Sequence, residues 1–207
     1  SEMCIRDRVN TIQQYGEKAL DKLRGMFGFA VWNEKEQTLM LARDFFGIKP
    51  VYYAEIDGHF VFASEIKSIL AFPGYERKVN QKALEQYLSF QYAPLEETFF
   101  KGIYKLMPGH MLLYKNGNYE IKTYFKTKLT PGKWNRTTNM DQLRSQLAEI
   151  LKDSVKHHML SDVEVGAFLS GGVDSGYLAS ASGADQAFTV GFDEGDRYLS
   201  LIHISEP

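Results

Sequence analysis

The residues best suited to chemistry are Phe168-Leu169-Ser170-Gly171-Gly172-Val173-Asp174-Ser175. Val163 to Leu169 reads as a short apolar strand, and Gly176 to Ser182 as a helix that starts at or just after Asp174. Glycines between a strand and a helix let the backbone approach a phosphate closely. The free N–H groups and positive dipole end of the helix face the same loop. Ser170 and Ser175 add hydroxyl donors. Asp174 is the odd member, because a carboxylate repels phosphates; its sensible role is to hold a Mg2+ ion that bridges them. The run lacks the Gly-x-x-x-x-Gly-Lys-Ser/Thr pattern and the dinucleotide fingerprint, so it is neither of those phosphate loops. The plain alternative is a Gly-rich turn with a capping Asp or Ser, and the strand before and helix after weigh against it.

Three other groups invite a chemical reading. Arg43-Asp44 could be a catalytic pair; a structural ion pair at a strand end is the preferred expectation. His157-His158 could suggest a metal, but neighbours on a helix point apart and cannot easily share one ion. They are read as cations near the negative end of the helix dipole. Cys4 is the single cysteine. It excludes an internal disulfide and fits a reducing cytosol.

The elements that must position these residues follow from periodicity. Val9 to Leu23 carries a partial helical stripe. Met26 to Trp32 alternates with both faces apolar, which predicts a strand buried on both sides. Thr38 to Ala42 completes a hairpin with it. Val51 to Ala54 and His59 to Ala63 flank Asp57-Gly58, a strong hairpin signal. Ser64 is the expected N-cap of a short helix ended by Pro73-Gly74. Asn80 to Phe90 is a capped helix striped by Leu84, Tyr87 and Leu88. Met111 to Tyr114 and Tyr119 to Phe125 form a further hairpin, and Tyr52-Tyr53 and the other aromatics are expected to fill the core. Lys126 to Asn139 has little periodicity and reads as a linker. Asp141 to Met159 is a long helix with Leu143, Leu147, Ile150, Leu151 and Val155 on one face. Strand, helix and a strand over Ala187 to Phe192 then imply a parallel α/β sheet.

With 207 residues, 44% hydrophobic and 24% charged, the chain is an ordinary globular one, neither collagen-like nor wholly disordered. A formal net charge of −2 gives no reason to expect nucleic acid or an anionic membrane as partner. Its apolar runs are far shorter than the roughly 20 residues a spanning helix needs.

Taken together, Ser170-Gly171-Gly172-Val173-Asp174-Ser175 resembles the pyrophosphate-binding loop of adenylating ATPases. Ser161 to Leu169 and Phe188-Thr189-Val190-Gly191-Phe192 narrow the likeness to the synthetase domain of glutamine-hydrolysing asparagine synthetases. Gly25 to Trp32, Ala42 to Tyr53, Phe62 to Leu70, Phe100 to Ile103 and Pro108-Gly109-His110 are similar to the second half of that family's glutaminase domain. The resemblance implies an α+β two-sheet sandwich, the later half of an Ntn-type glutaminase domain, followed by the start of an α/β parallel-sheet adenylating domain. It implies residues 8–126 for the first, 127–139 for the linker and 140–198 for the second. Residues 1–7 and 199–207 look like translated adapter sequence, so an internal fragment of a longer protein is expected.

The family makes asparagine from ATP, aspartate and ammonia released from glutamine, by way of β-aspartyl-adenylate. ATP and Mg2+ are the implied cofactors. Small-molecule substrates, a cytoplasmic setting and a homodimer of the parent complete the expectation. The residues that carry over are Leu169, Ser170, Gly171, Gly172, Val173, Asp174 and Ser175 at the ATP loop, with Asp174 on the metal and Val190 beside adenine through its backbone. Met26 and Ile48 match positions near the family's ammonia tunnel, with plain core packing at least as strong an alternative for each. Met3-Cys4 resembles the family's processed start, yet Gly25 follows almost at once, where several strands should intervene. Cys4 is therefore rejected as the nucleophile, and the glutamine and aspartate sites are expected outside the chain. A related amide or β-lactam synthetase, or a non-catalytic binding module, are the alternative readings.

Overall fold

The computed structural model describes residues 2–128, 139–161 and 163–191, with residues 2–7 as backbone only. The chain divides into two compact units, Ser1–Leu129 and Thr130–Pro207. No helix of the described residues is long and apolar enough to cross a membrane.

The first unit opens with α1 (Glu2–Tyr15), followed by a 3-10 helix over Gly16–Lys22. The expected single helix from Val9 to Leu23 is thus broken. Gly16 takes φ +57°, a left-handed value that no α-helix continues through. Strands β1 (Gly28–Asn33) and β2 (Thr38–Arg43) form the expected hairpin. Next come β3 (Tyr52–Ile56), β4 (His59–Ala63), α2 (Ile66–Leu70), α3 (Gln81–Phe90), β5 (Ile103–Lys105), β6 (His110–Lys115) and β7 (Asn118–Thr123). One antiparallel sheet has the order β1-β2-β6-β7 and a second the order β4-β3-β5. Two hairpins turn on Asp57-Gly58 and Asn116-Gly117, each with both residues at positive φ, the mirror-image turn that matches strand twist.

The core explains which strands are central. Leu39 and Leu41 of β2 and Leu112 of β6 meet Val51, Tyr53 and Leu106. Met40 and Ala42, on the other face of β2, meet Leu20, Phe27 and Met111. Each fully buried Leu of this kind contributes roughly 1.5–3 kcal/mol. The strand buried on both faces is therefore β2, not the Met26–Trp32 run. In β1 Phe27 precedes the strand and is buried, Phe29 and Val31 are half-buried, and Trp32 remains 52% exposed. The reason is position: β1 lies at the sheet edge and pairs only with β2 among the described residues. A third cluster joins Ala54, Ile56, Ile69 and Ile103 under α2.

Two helix expectations need correction. Glu65, not Ser64, occupies the N-cap of α2, and no side chain caps it. Asn80 does cap α3 by accepting from the Ala83 N–H at 3.4 Å. Yet Leu84, Tyr87 and Leu88 are exposed, and only Ala83 is buried. The apolar stripe of α3 faces outward rather than into the core.

The second unit holds α4 (Met140–His158), β8 (Ala167–Phe168), α5 (Val173–Ser182) and β9 (Ala187–Phe188), with β8 and β9 paired in parallel. Asn139 caps α4 by accepting from the Asp141 N–H at 2.9 Å. The two strands are shorter than the runs Val163–Leu169 and Ala187–Phe192, and residue 192 lies outside the described residues. So do 129–138, most of the expected linker. Val155 is buried on α4, but Leu147 and Ile150, expected on the same buried face, are exposed.

Candidate nucleotide-binding site

The site grows from the end of the parallel pair. Ala167 N–H donates to the Gln186 carbonyl and Leu169 N–H to the Phe188 carbonyl, both at 2.9 Å. These rungs fix where the chain leaves β8. Gly171 then takes φ +79°, and Gly172 serves as N-cap of α5 with no side-chain cap of its own. The helix starts at Val173, one residue before the earliest start expected. Asp174 therefore stands within its first turn instead of before it. The Gly176 N–H closes that turn on the Gly172 carbonyl at 3.0 Å. The N–H groups ahead of it have no helical acceptor and face the loop.

The serines have a different task from simple donation. Ser175 Oγ donates to the Gly172 carbonyl at 3.0 Å and accepts from the Ser170 N–H at 3.2 Å and Ser170 Oγ at 3.0 Å. Sequence reasoning treated these hydroxyls as separate ligand donors; the structure brings them together as a staple across the loop. Asp174 is exposed, as are Val173 and Val190, while Leu169 is half-buried. Thr189, which the sequence reading left without a role, donates its hydroxyl to the Leu169 carbonyl at 2.8 Å.

The donor set can be tested for a metal. No group of three or more His, Cys, Asp or Glu residues is gathered among the described residues. Asp174 is one hard oxygen donor at a helix N-terminus, which suits Mg2+ completed by phosphate oxygens and water rather than a protein cage. His157 and His158 each donate from Nδ1 to the carbonyl four residues earlier, Asp153 at 2.7 Å and Ser154 at 2.8 Å. They lie back on their own helix and share no site.

In the first unit, Arg43 and Asp44 are not the exposed strand-end ion pair expected. Both are buried, Asp44 to 1% exposure. Asp44 accepts from the N–H groups of Phe27, Phe46, Ile48 and Lys49 at 2.9–3.2 Å. Arg43 donates to the carbonyls of Lys49, Leu106 and Gly47 at 2.6–2.9 Å. Burial opposes the Asp44 charge, but the four backbone donors outweigh it and hold its carboxyl below the ordinary value. Burial lowers the Arg43 value, partly offset by Tyr52 and Asp44. The two side chains tie the Phe45–Lys49 loop to the sheet. That loop presents Ile48 at 51% exposure, so core packing does not explain Ile48; Met26 is half-buried. Cys4 falls in α1.

Comparison with known proteins places both units. Residues 8–125 match the glutamine amidotransferase domain family, and residues 146–201 match asparagine synthase. Asparagine synthetase (glutamine-hydrolyzing) 1 of Bacillus subtilis is 40% identical over 189 residues, covering 89% of this chain and 29% of that protein. Asparagine synthetase (glutamine-hydrolyzing) 3 of the same organism is 30% identical over 196 residues, 90% of this chain and 31% of its own length. Amidase chyE of Penicillium rubens is 33% identical over 168 residues, 81% of this chain and 24% of that protein. The chain thus spans less than a third of the length of each of these relatives. With the amidotransferase match over more than half its length, the chain belongs to the glutamine amidotransferase domain family, and its second unit is similar to asparagine synthase.

Proposed function

We propose that this chain is the junction of a two-domain amide synthetase, holding the later part of an Ntn-type glutaminase sandwich and the opening of an adenylating ATPase domain. The observation that carries the reading is the β8–loop–α5 unit beside parallel β9, with Gly171 and Gly172 at the turn and Asp174 in the first helical turn. The full-length protein binds ATP on this loop. The backbone N–H groups from Gly171 to Ser175 would cradle the β- and γ-phosphates, and the Ser170–Ser175 staple keeps the loop in its receiving shape. Asp174 would hold Mg2+, which when bound offsets the charge of the departing pyrophosphate. An aspartate β-carboxylate oxygen attacks the α-phosphorus, the bond to the bridging oxygen breaks, and pyrophosphate leaves. Ammonia nitrogen then attacks the acyl carbon and AMP leaves, giving the amide after loss of a proton. Glutamine hydrolysis in the first domain supplies the ammonia, through a nucleophile other than Cys4. The parent works in the cytoplasm as a homodimer on small-molecule substrates.

The test is Asp174→Ala in a full-length protein carrying this sequence. Aspartate-dependent exchange between pyrophosphate and ATP should disappear while glutamine hydrolysis continues. Exchange at the wild-type rate refutes the role of Asp174, and stoichiometric ADP plus phosphate as products refutes the loop assignment. One second reading stays in view, a related amide synthetase with another acceptor in place of aspartate, since the match to asparagine synthase ends at residue 201 and covers only the opening of that domain. It would show the same AMP and pyrophosphate without dependence on aspartate.

A further inference from the structure

Thr189 occupies the point where the parallel ladder ends, and its contact there is unlike the rungs before it. A regular parallel pair uses evenly spaced backbone bonds, each residue donating to one neighbour across the way and accepting from the next but one. Ala167 and Leu169 follow that rule by donating to Gln186 and Phe188. The following rung would run from the Val190 N–H to the Leu169 carbonyl. It is not among the backbone hydrogen bonds of the described residues. The Leu169 carbonyl accepts instead from Thr189 Oγ1 at 2.8 Å. Val190 itself is 65% exposed and follows Thr189, whose hydroxyl reaches the carbonyl of the residue just before the loop.

We infer that Thr189 is a positioning residue that ends the β8–β9 ladder with its side chain, leaving the Val190 backbone free to read the edge of the nucleotide base. The inference rests on the reading that this loop holds ATP. A free N–H beside a free carbonyl matches adenine, which offers N1 as acceptor and its exocyclic amine as donor. Guanine presents the reverse pair, a donor at N1 and an acceptor at O6, so the same backbone edge repels it. A hydroxyl on residue 189 is therefore needed for base selection, although residue 189 touches neither base nor phosphate. A Val at this position keeps the shape and strand preference but cannot donate, so the Leu169 carbonyl is left for the Val190 N–H to close upon.

The experiment uses the full-length protein with Thr189→Val and Thr189→Ser, measuring the affinity for ATP, GTP and inorganic pyrophosphate by direct titration. Thr189→Val should weaken ATP about tenfold and narrow the ATP-to-GTP preference, with pyrophosphate affinity within about twofold of wild type. Thr189→Ser should restore ATP affinity to within about twofold. Amide exchange supplies a readout independent of variant folding: in the ATP-free wild type the Val190 N–H should exchange fast, and ATP should slow it. Unchanged ATP affinity and preference in Thr189→Val, or equal losses for ATP and pyrophosphate, overturns the inference, as does a protected Val190 amide without nucleotide. Should the wild type bind neither ATP nor pyrophosphate, the ATP reading itself fails and the inference falls with it, an outcome distinct from the others.

Discussion

Replacing Asp44 by Asn should loosen the first unit. Asp44 is almost wholly buried, and its two oxygens serve separate pairs of donors: Oδ1 accepts from Phe46 and Ile48, and Oδ2 from Phe27 and Lys49. Asn keeps one accepting oxygen and turns an NH2 toward the other pair, so two N–H groups, buried at Phe27 and part-buried at the other three, lose their acceptor. At about 1–3 kcal/mol for each unsatisfied donor, the cost is about 2–6 kcal/mol. A domain holds only about 5–15 kcal/mol in all. The assay is amide exchange in the full-length protein at Phe27, Phe46, Ile48 and Lys49, where about 2 kcal/mol corresponds to roughly thirtyfold faster exchange. The pH dependence has a defined sign. The folded carboxyl lies below its unfolded value of about 3.9, so its stabilisation is fully present above about pH 4. It is lost as pH falls through the lower folded value, and there wild type and variant should converge. Exchange at these four amides that stays within about threefold of wild type at pH 7 would refute the reasoning.

The remaining expectations are briefer. Gly109→Ala should destabilise the first unit by at least about 2 kcal/mol, because Gly109 has φ +67° and an added Cβ would sit 2.4 Å from the Phe125 carbonyl oxygen, seen as a lower urea midpoint. Ser175→Ala should raise the ATP Kd of the full-length protein several-fold by removing the staple to Ser170 and Gly172, and an unchanged Kd would limit the hydroxyl to a packing role. The 207-residue chain purified alone should bind a hydrophobic dye and melt without a sharp transition in its second unit, where Phe168, Leu160, Ile150 and Leu147 are all more than half exposed. A single cooperative transition from a monomer would contradict that.

How much of this was legible in the sequence depends on the range over which each signal acts. Hairpins were readable because Asp57-Gly58 and Asn116-Gly117 dictate their turns within two residues. Asn80 announced its helix because a cap acts over three residues. Burial was read less well, since it depends on which element arrives from elsewhere in the chain. The Met26–Trp32 run and β2 look alike in alternation, yet only β2 has strands on both sides in the sheet. The α3 stripe of Leu84, Tyr87 and Leu88 has the helical period but no described partner that buries it.

The same distinction separates the two charged sites. The local frame around Asp174 could be read from its neighbours, because a strand, two glycines and a helix start are consecutive in sequence. Asp44 could not, because its meaning lies in an N–H seventeen residues away at Phe27 and in the turn that brings Phe46, Ile48 and Lys49 back to it. An acidic residue following a basic one at a strand end looks like a surface pair by base rate; burial converts it into an acceptor for backbone groups that would otherwise be unsatisfied. Arg43 is its complement, a donor reaching Leu106 sixty-three residues away. Together they let a loop containing Gly47 and Pro50 hold one shape without secondary structure of its own, so that exposed Ile48 is presented on a rigid support. Thr189 stands between the two cases. Its partner Leu169 is twenty residues away, but the parallel pairing that joins them was itself legible, so the hydroxyl could have been placed once the register was known.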